Sequence, residues 1–64
     1  MKVVRVQSNE ARLKFGAIMD DILRNGNIYL IERYGRPTVA MVPVEDVAER
    51  IERLEAQVNK QSPT

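Results

Sequence analysis

The 64-residue chain has no cysteine, no histidine and no tryptophan. Without cysteine there is neither a disulfide nor a thiolate metal site. Without histidine the commonest metal ligand and the usual general base are both missing. Ser8 and Ser62 have no Lys or Asp at the spacing of a catalytic dyad, and no glycine-rich phosphate loop or dinucleotide fingerprint is present. The adjacent Asp20 and Asp21 point about 100° apart on a helix and read as a solvated face, not a metal pair. The chain is therefore read as no enzyme, with no cofactor, no metal and no small-molecule substrate. No apolar run approaches the roughly 18 residues that span a bilayer. The opening Met1-Lys2-Val3-Val4-Arg5-Val6 is too short and too charged for a signal peptide. The expectation is a cytoplasmic protein without membrane contact.

Hydrophobic residues make up 44% and charged residues 30%, a balance that folds rather than stays disordered. A domain of this size buries only about 60% of the surface its unfolded chain exposes. With disulfides and metals removed, self-association is the remaining source of stability.

The net charge of +1 hides an asymmetry. Residues 1–36 carry seven basic and four acidic side chains, a net of +3. Residues 37–64 carry three basic and five acidic ones, a net of −2. One half of the chain suits an anion and the other does not.

Val3 to Val6 is a β-rich run that predicts a first strand. Ser8 stands where a helix N-cap belongs, with Glu10 in the first turn. Residues 9–25 read as one helix, with Ala11, Phe15, Ile18 and Ile22 on a stripe widened by Met19 and Leu23. Gly16 within it points to a close packing neighbour, and Asn25-Gly26-Asn27 is a stop signal with Gly26 as a left-handed cap. Residues 28–33 and 38–43 predict two further strands around a Tyr34-Gly35-Arg36-Pro37 turn. The apolar run of the third strand reads as buried on both faces, and Pro43 ends it. Residues 44–58 predict a second helix, and the polar tail 59–64 is expected to fray. The expected architecture is α+β: a small β-α-β-β-α domain over 1–58, one small sheet packed by helices and pooled into a homodimer.

Two surfaces attract attention. Ser8 and Asn9 stand at a predicted helix N-terminus, which favours phosphate, with Arg12 and Lys14 following and Arg33 and Arg36 bracketing the hairpin turn. These charges suit DNA, although ordinary solubilising charges look the same in composition. Val47, Ile51, Leu54 and Val58 form a two-heptad seam, too short for a coiled coil on its own. Val47 and Ile51 are expected on the chain's own sheet, Leu54 and Val58 against a partner. Tyr29 and Tyr34 offer rings for base stacking, but sheet or dimer packing is the commoner use.

Ser8-Asn9-Glu10-Ala11-Arg12 followed by Phe15 is similar to the Ser-x-x-Ala-Arg-x-Asn-Leu signature of the Phd/YefM antitoxins. Ile31 to Val42 resembles that family's second block: a strand ending in Arg, a Gly turn, Pro, and an apolar strand with Val-Ala. Pro43-Val44-Glu45-Asp46-Val47 is similar to its entry into the second helix. Lys14 replaces the signature Asn, Phe15 its Leu, and Pro43 the Ser that often opens the second helix. The resemblance implies a homodimeric antitoxin of a type II toxin–antitoxin module that binds a palindromic operator of its own operon and represses it. A C-terminal segment would neutralise a cognate toxin, here Ile51, Leu54 and Val58 with residues 59–64 as the start or remnant of that segment. Arg12 and Arg33 match the family's basic positions, with Lys14, Ser8, Asn9 and Arg36 beside them as expected DNA contacts. Two other readings stand beside it: a protein-interaction module without DNA binding, and a ribbon-helix-helix-like repressor. The Gly35 hairpin between the helices speaks against the second.

Overall fold

A computed structural model describes residues 1–61. The chain runs β1 (Val3–Gln7), α1 (Ser8–Leu13), α2 (Phe15–Asn25), β2 (Ile28–Arg33), β3 (Arg36–Met41) and α3 (Val44–Gln61). It is a small α+β domain with a three-stranded mixed sheet in the order β1-β2-β3. β1 and β2 are parallel, with Val4 opposite Tyr29 and Val6 opposite Ile31. β2 and β3 are an antiparallel hairpin, irregular between Ile31 and Glu32. A parallel pair needs a crossover, and α1 with α2 supplies it.

One face of the sheet is covered. Ala11, Ile18, Ile22 and Ile31 are the buried residues of the core, with Val6, Tyr29 and Met41 packed on them. These positions carry out the predicted periodicities, a helical stripe above alternate strand residues. The helices lie over β1 and β2 rather than β3. Val39, in register with Ile31, accordingly stays 57% exposed. The other sheet face carries Arg5, Gln7 and Glu32 beside Leu30 and Ala40, none of which belongs to the core.

Several expectations are corrected. The first helix is two helices, broken at Lys14 (φ −109°, ψ 23°). Gly16, the weakest helix former of the segment, sits in the first turn after the break. Phe15, Met19 and Leu23 are turned largely to solvent, so only part of the expected stripe reaches the core. Gly16 has open space where a side chain would stand, so no close neighbour explains it. Gln7, not Ser8, is the N-cap of α1, and its side chain makes no capping bond. β3 ends at Met41 and is exposed along most of its length, because it is an edge strand with one face bare. α3 continues to Gln61, past the expected boundary at 58. The frayed tail expected over 59–64 falls for residues 62–64 outside the described residues.

Both predicted glycine turns are present. Gly26 (φ 68°) caps α2 with its N–H donating to the Ile22 carbonyl. Gly35 (φ 73°) forms the hairpin turn with Tyr34, which itself has φ 55°. A left-handed conformation costs a non-glycine residue about 1 kcal/mol or more.

Candidate functional site

The ends of three strands organise the basic residues. Gln7, the last residue of β1, lies opposite Glu32 of β2, and Arg33 pairs with Arg36 across the hairpin. α1 starts immediately after Gln7. Ser8, Asn9 and, one turn on, Arg12 thus begin at the same end of the sheet as Arg33 and Arg36. Residues separated by more than 20 positions are brought together by the parallel β1–β2 register.

Their charges are not equally free. Lys14 Nζ donates to Glu10 Oε1 at 3.0 Å, an exposed i, i+4 pair that spends part of its charge locally. Arg5 Nη1 reaches Glu32 Oε2 at 3.2 Å and Gln7 Nε2 reaches Glu32 Oε1 at 3.2 Å, which neutralises the acid nearest the turn. Arg12, Arg33 and Arg36 form no ion pair among the described residues and are exposed. Ser8 is half-buried and Asn9 exposed. The six-residue α1 is a much weaker dipole than the long helix expected there. The arginine side chains are therefore the main attraction for an anion at this end.

The second exposed surface is α3. Ile51, Leu54 and Val58 are 39%, 47% and 61% exposed. Val47 is half-buried, as expected, whereas Ile51, also expected on the chain's own sheet, is exposed because the helix has already run past the short strands there. α3 makes few contacts with the rest of the chain, because its seam outruns a sheet of five- and six-residue strands. At its root, Met19 and Leu23 of α2, Met41 of β3, and Val44, Val47 and Ile51 line an open apolar groove of about 350 Å³.

Asp21 is the polar centre that sequence reasoning missed. Its place beside Asp20 predicts a solvated face, but it is half-buried and accepts hydrogen bonds from three side chains. Tyr29 Oη donates to Asp21 Oδ2 at 2.6 Å, Asn27 Nδ2 donates to both carboxylate oxygens at 3.0 and 3.1 Å, and Asn25 Nδ2 donates to Oδ1. These donors, Tyr29 first, then Asn27 and Asn25, hold the Asp21 carboxyl down to about 2. The same bond pushes the Tyr29 hydroxyl up. Asn27 Oδ1 in turn accepts from the Lys2 backbone N–H at 2.9 Å. The cluster fastens the end of α2 to the starts of β1 and β2. Its sequence signal was the Asp21–Asn25 spacing of one helical turn just before the Gly26 stop.

No family model matches the chain, and no curated protein or solved structure matches it. Among the described residues, no helix is long and apolar enough to cross a membrane.

Proposed function

We propose that this chain is an antitoxin of the Phd/YefM kind, a homodimer that binds a palindromic operator, represses its own operon and neutralises a cognate toxin. The observation that carries the DNA half is that Arg33 and Arg36 pair across the hairpin at the sheet end where α1, with Arg12, begins, and that none of the three forms an ion pair among the described residues. Arg12 and Arg33 are also the basic residues of the two blocks that resemble the family. Ser8, Asn9 and Lys14 flank them as secondary contacts. Guanidinium groups fork onto phosphates or read guanine in the major groove.

The homodimer is supported by surface that the monomer leaves uncovered. Phe15, Met19 and Leu23 form an exposed apolar row on α2 that continues into the groove at the root of α3. Burying such a row against a second copy gives a small domain the core it lacks. A two-fold dimer then matches a palindromic site. The toxin half rests on α3, whose Ile51, Leu54 and Val58 stay exposed on a helix that makes few contacts with the rest of the chain.

Exposure of α3 also favours the second reading, a protein-interaction module without DNA binding. β1, α1 and α2 do follow one another as strand, helix, helix, but the ribbon-helix-helix alternative is disfavoured, since β1 pairs in parallel with β2 of its own chain and is not left free to pair with a second copy. A mobility shift with duplex DNA from upstream of the chain's own gene separates the two that remain. The antitoxin reading expects a complex that weakens steeply with salt. Arg12→Ala is expected to cost about 1–3 kcal/mol of binding. No shift at low salt would leave the interaction module standing, and an unchanged shift with Arg12→Ala would remove that residue from the site.

A further inference from the structure

We infer that the β2–β3 hairpin tip is a wing that enters a groove of duplex DNA, with the Tyr34 ring as its leading contact; this rests on the DNA-binding reading above. Four observations carry it.

Tyr34 is 94% exposed, more than any other large apolar or aromatic side chain, Met1 included. Its hydroxyl makes no hydrogen bond among the described residues, so neither ring nor hydroxyl serves the fold. Of the expected sheet or dimer packing, the sheet half does not hold within the chain.

Its backbone is also in the wrong place for a tyrosine. A two-residue hairpin turn with positive φ at both central positions takes Asn, Asp or Gly at the first of them. Tyr34 occupies that position at φ 55°. Strain held without a structural return is characteristic of functional positions.

The surroundings select an anionic partner. Arg33 and Arg36 flank the ring, and the segment from Arg33 to Thr38 contains no acid. The neighbouring Glu32 is occupied by Arg5 and Gln7. A protein partner would have to bring acids to two arginines and an aromatic pocket to the ring, whereas a DNA groove brings phosphates together with sugars and base steps that an apolar side chain can wedge against.

The tip is built to be stiff. Pro37 has a fixed φ, Arg33 and Arg36 are paired, and Thr38 Oγ1 donates to the Arg36 carbonyl at 3.1 Å. A narrow hairpin tip between two arginines matches the minor groove, where arginine follows the negative potential and apolar side chains wedge against base steps. Because α1 begins at the same sheet end, the wing would lie in the groove next to the one that Arg12 approaches.

The test uses the full chain, duplex DNA from upstream of its gene, and the variants Tyr34→Asn, Tyr34→Phe and Arg33→Ala. Asn suits the turn better than Tyr, so Tyr34→Asn should fold with an unchanged or raised thermal midpoint. It should nevertheless bind DNA about five- to tenfold more weakly, the low end of what a stacked aromatic–base contact contributes on single strands. Tyr34→Phe should keep wild-type affinity. The chain has only two tyrosines and no tryptophan, and Tyr29 is bonded to a carboxylate that quenches it. Emission therefore comes mainly from Tyr34 and should fall when DNA binds. If Tyr34→Asn binds like wild type while Arg33→Ala weakens binding, the wing is wrong and the DNA reading survives. If the wild-type chain binds no duplex at low salt, the DNA reading falls and takes the wing with it.

Discussion

The segment from β1 to β2 and the segment after β3 are built on different terms. In the first, every element touches another: α1 and α2 lie on β1 and β2, Ala11, Ile18, Ile22 and Ile31 are buried together, and Asp21 bonds three side chains at the seam. In the second, the 18-residue α3 carries an apolar seam that grows more exposed along its length, from a half-buried Val47 to Val58 at 61%. A short chain without disulfides spends its few buried residues on one small layer and leaves its longest helix without a partner of its own. Such a helix gains little from propensity alone and needs something to pack on. The two regions also differ in charge, the basic arginines gathering at one sheet end and most acids following along α3.

The sharpest way to break this contrast is to remove core volume. Ile18→Ala should cost about 2–5 kcal/mol and unfold most of the chain in thermal melts followed by circular dichroism. If it melted like wild type, the β1–β2 body would not be the stabilising unit. Smaller is the expected loss of DNA affinity in Arg33→Ala, about 1–3 kcal/mol, measured by titration at fixed salt with the fold unchanged.

A pH effect comes next. The Asp21 carboxyl is held at about 2 in the folded chain against 3.8 ordinarily. A depressed carboxyl stabilises the fold above its unfolded value, and that stabilisation is lost as pH falls from about 4 toward 2. The melting midpoint of wild type should therefore exceed that of Asp21→Asn at neutral pH, and the gap should close over that acid window. A constant gap would mean that Asp21 acts through shape alone. The smallest effect is expected at Leu54→Ser, which should change the stability of the isolated chain by no more than about 0.5 kcal/mol. The same substitution should weaken capture of the cognate toxin in a pull-down with the wild-type chain as reference.

Much of the body was legible in the sequence. Gly26 and Gly35 marked their turns because positive φ leaves few alternatives, and the Ala11–Ile18–Ile22 spacing marked the buried face of the helices. The break at Lys14 was not legible, since the apolar stripe runs on unbroken through Gly16. The run Val39 to Val42 looked like a strand buried on both faces, but composition does not say whether a strand is central or at an edge. Asp21 was misread because its value lies in Asn27 and Tyr29, which reach it only once α2 turns back onto β2. At the candidate interface, the basic residues could be named singly. Their shared location needed the parallel register of Gln7 with Glu32, and the strain at Tyr34 needed its backbone angle.

Hydrogen–deuterium exchange on the chain alone, with upstream duplex DNA, and with the cognate toxin tests the division of labour most directly. DNA should slow exchange in α1 and in the Arg33–Arg36 turn while leaving α3 fast. The toxin should slow α3 around Ile51 to Val58 while leaving the turn unchanged. Protection of α3 by DNA, or no protection of the turn by DNA at low salt, would contradict the account.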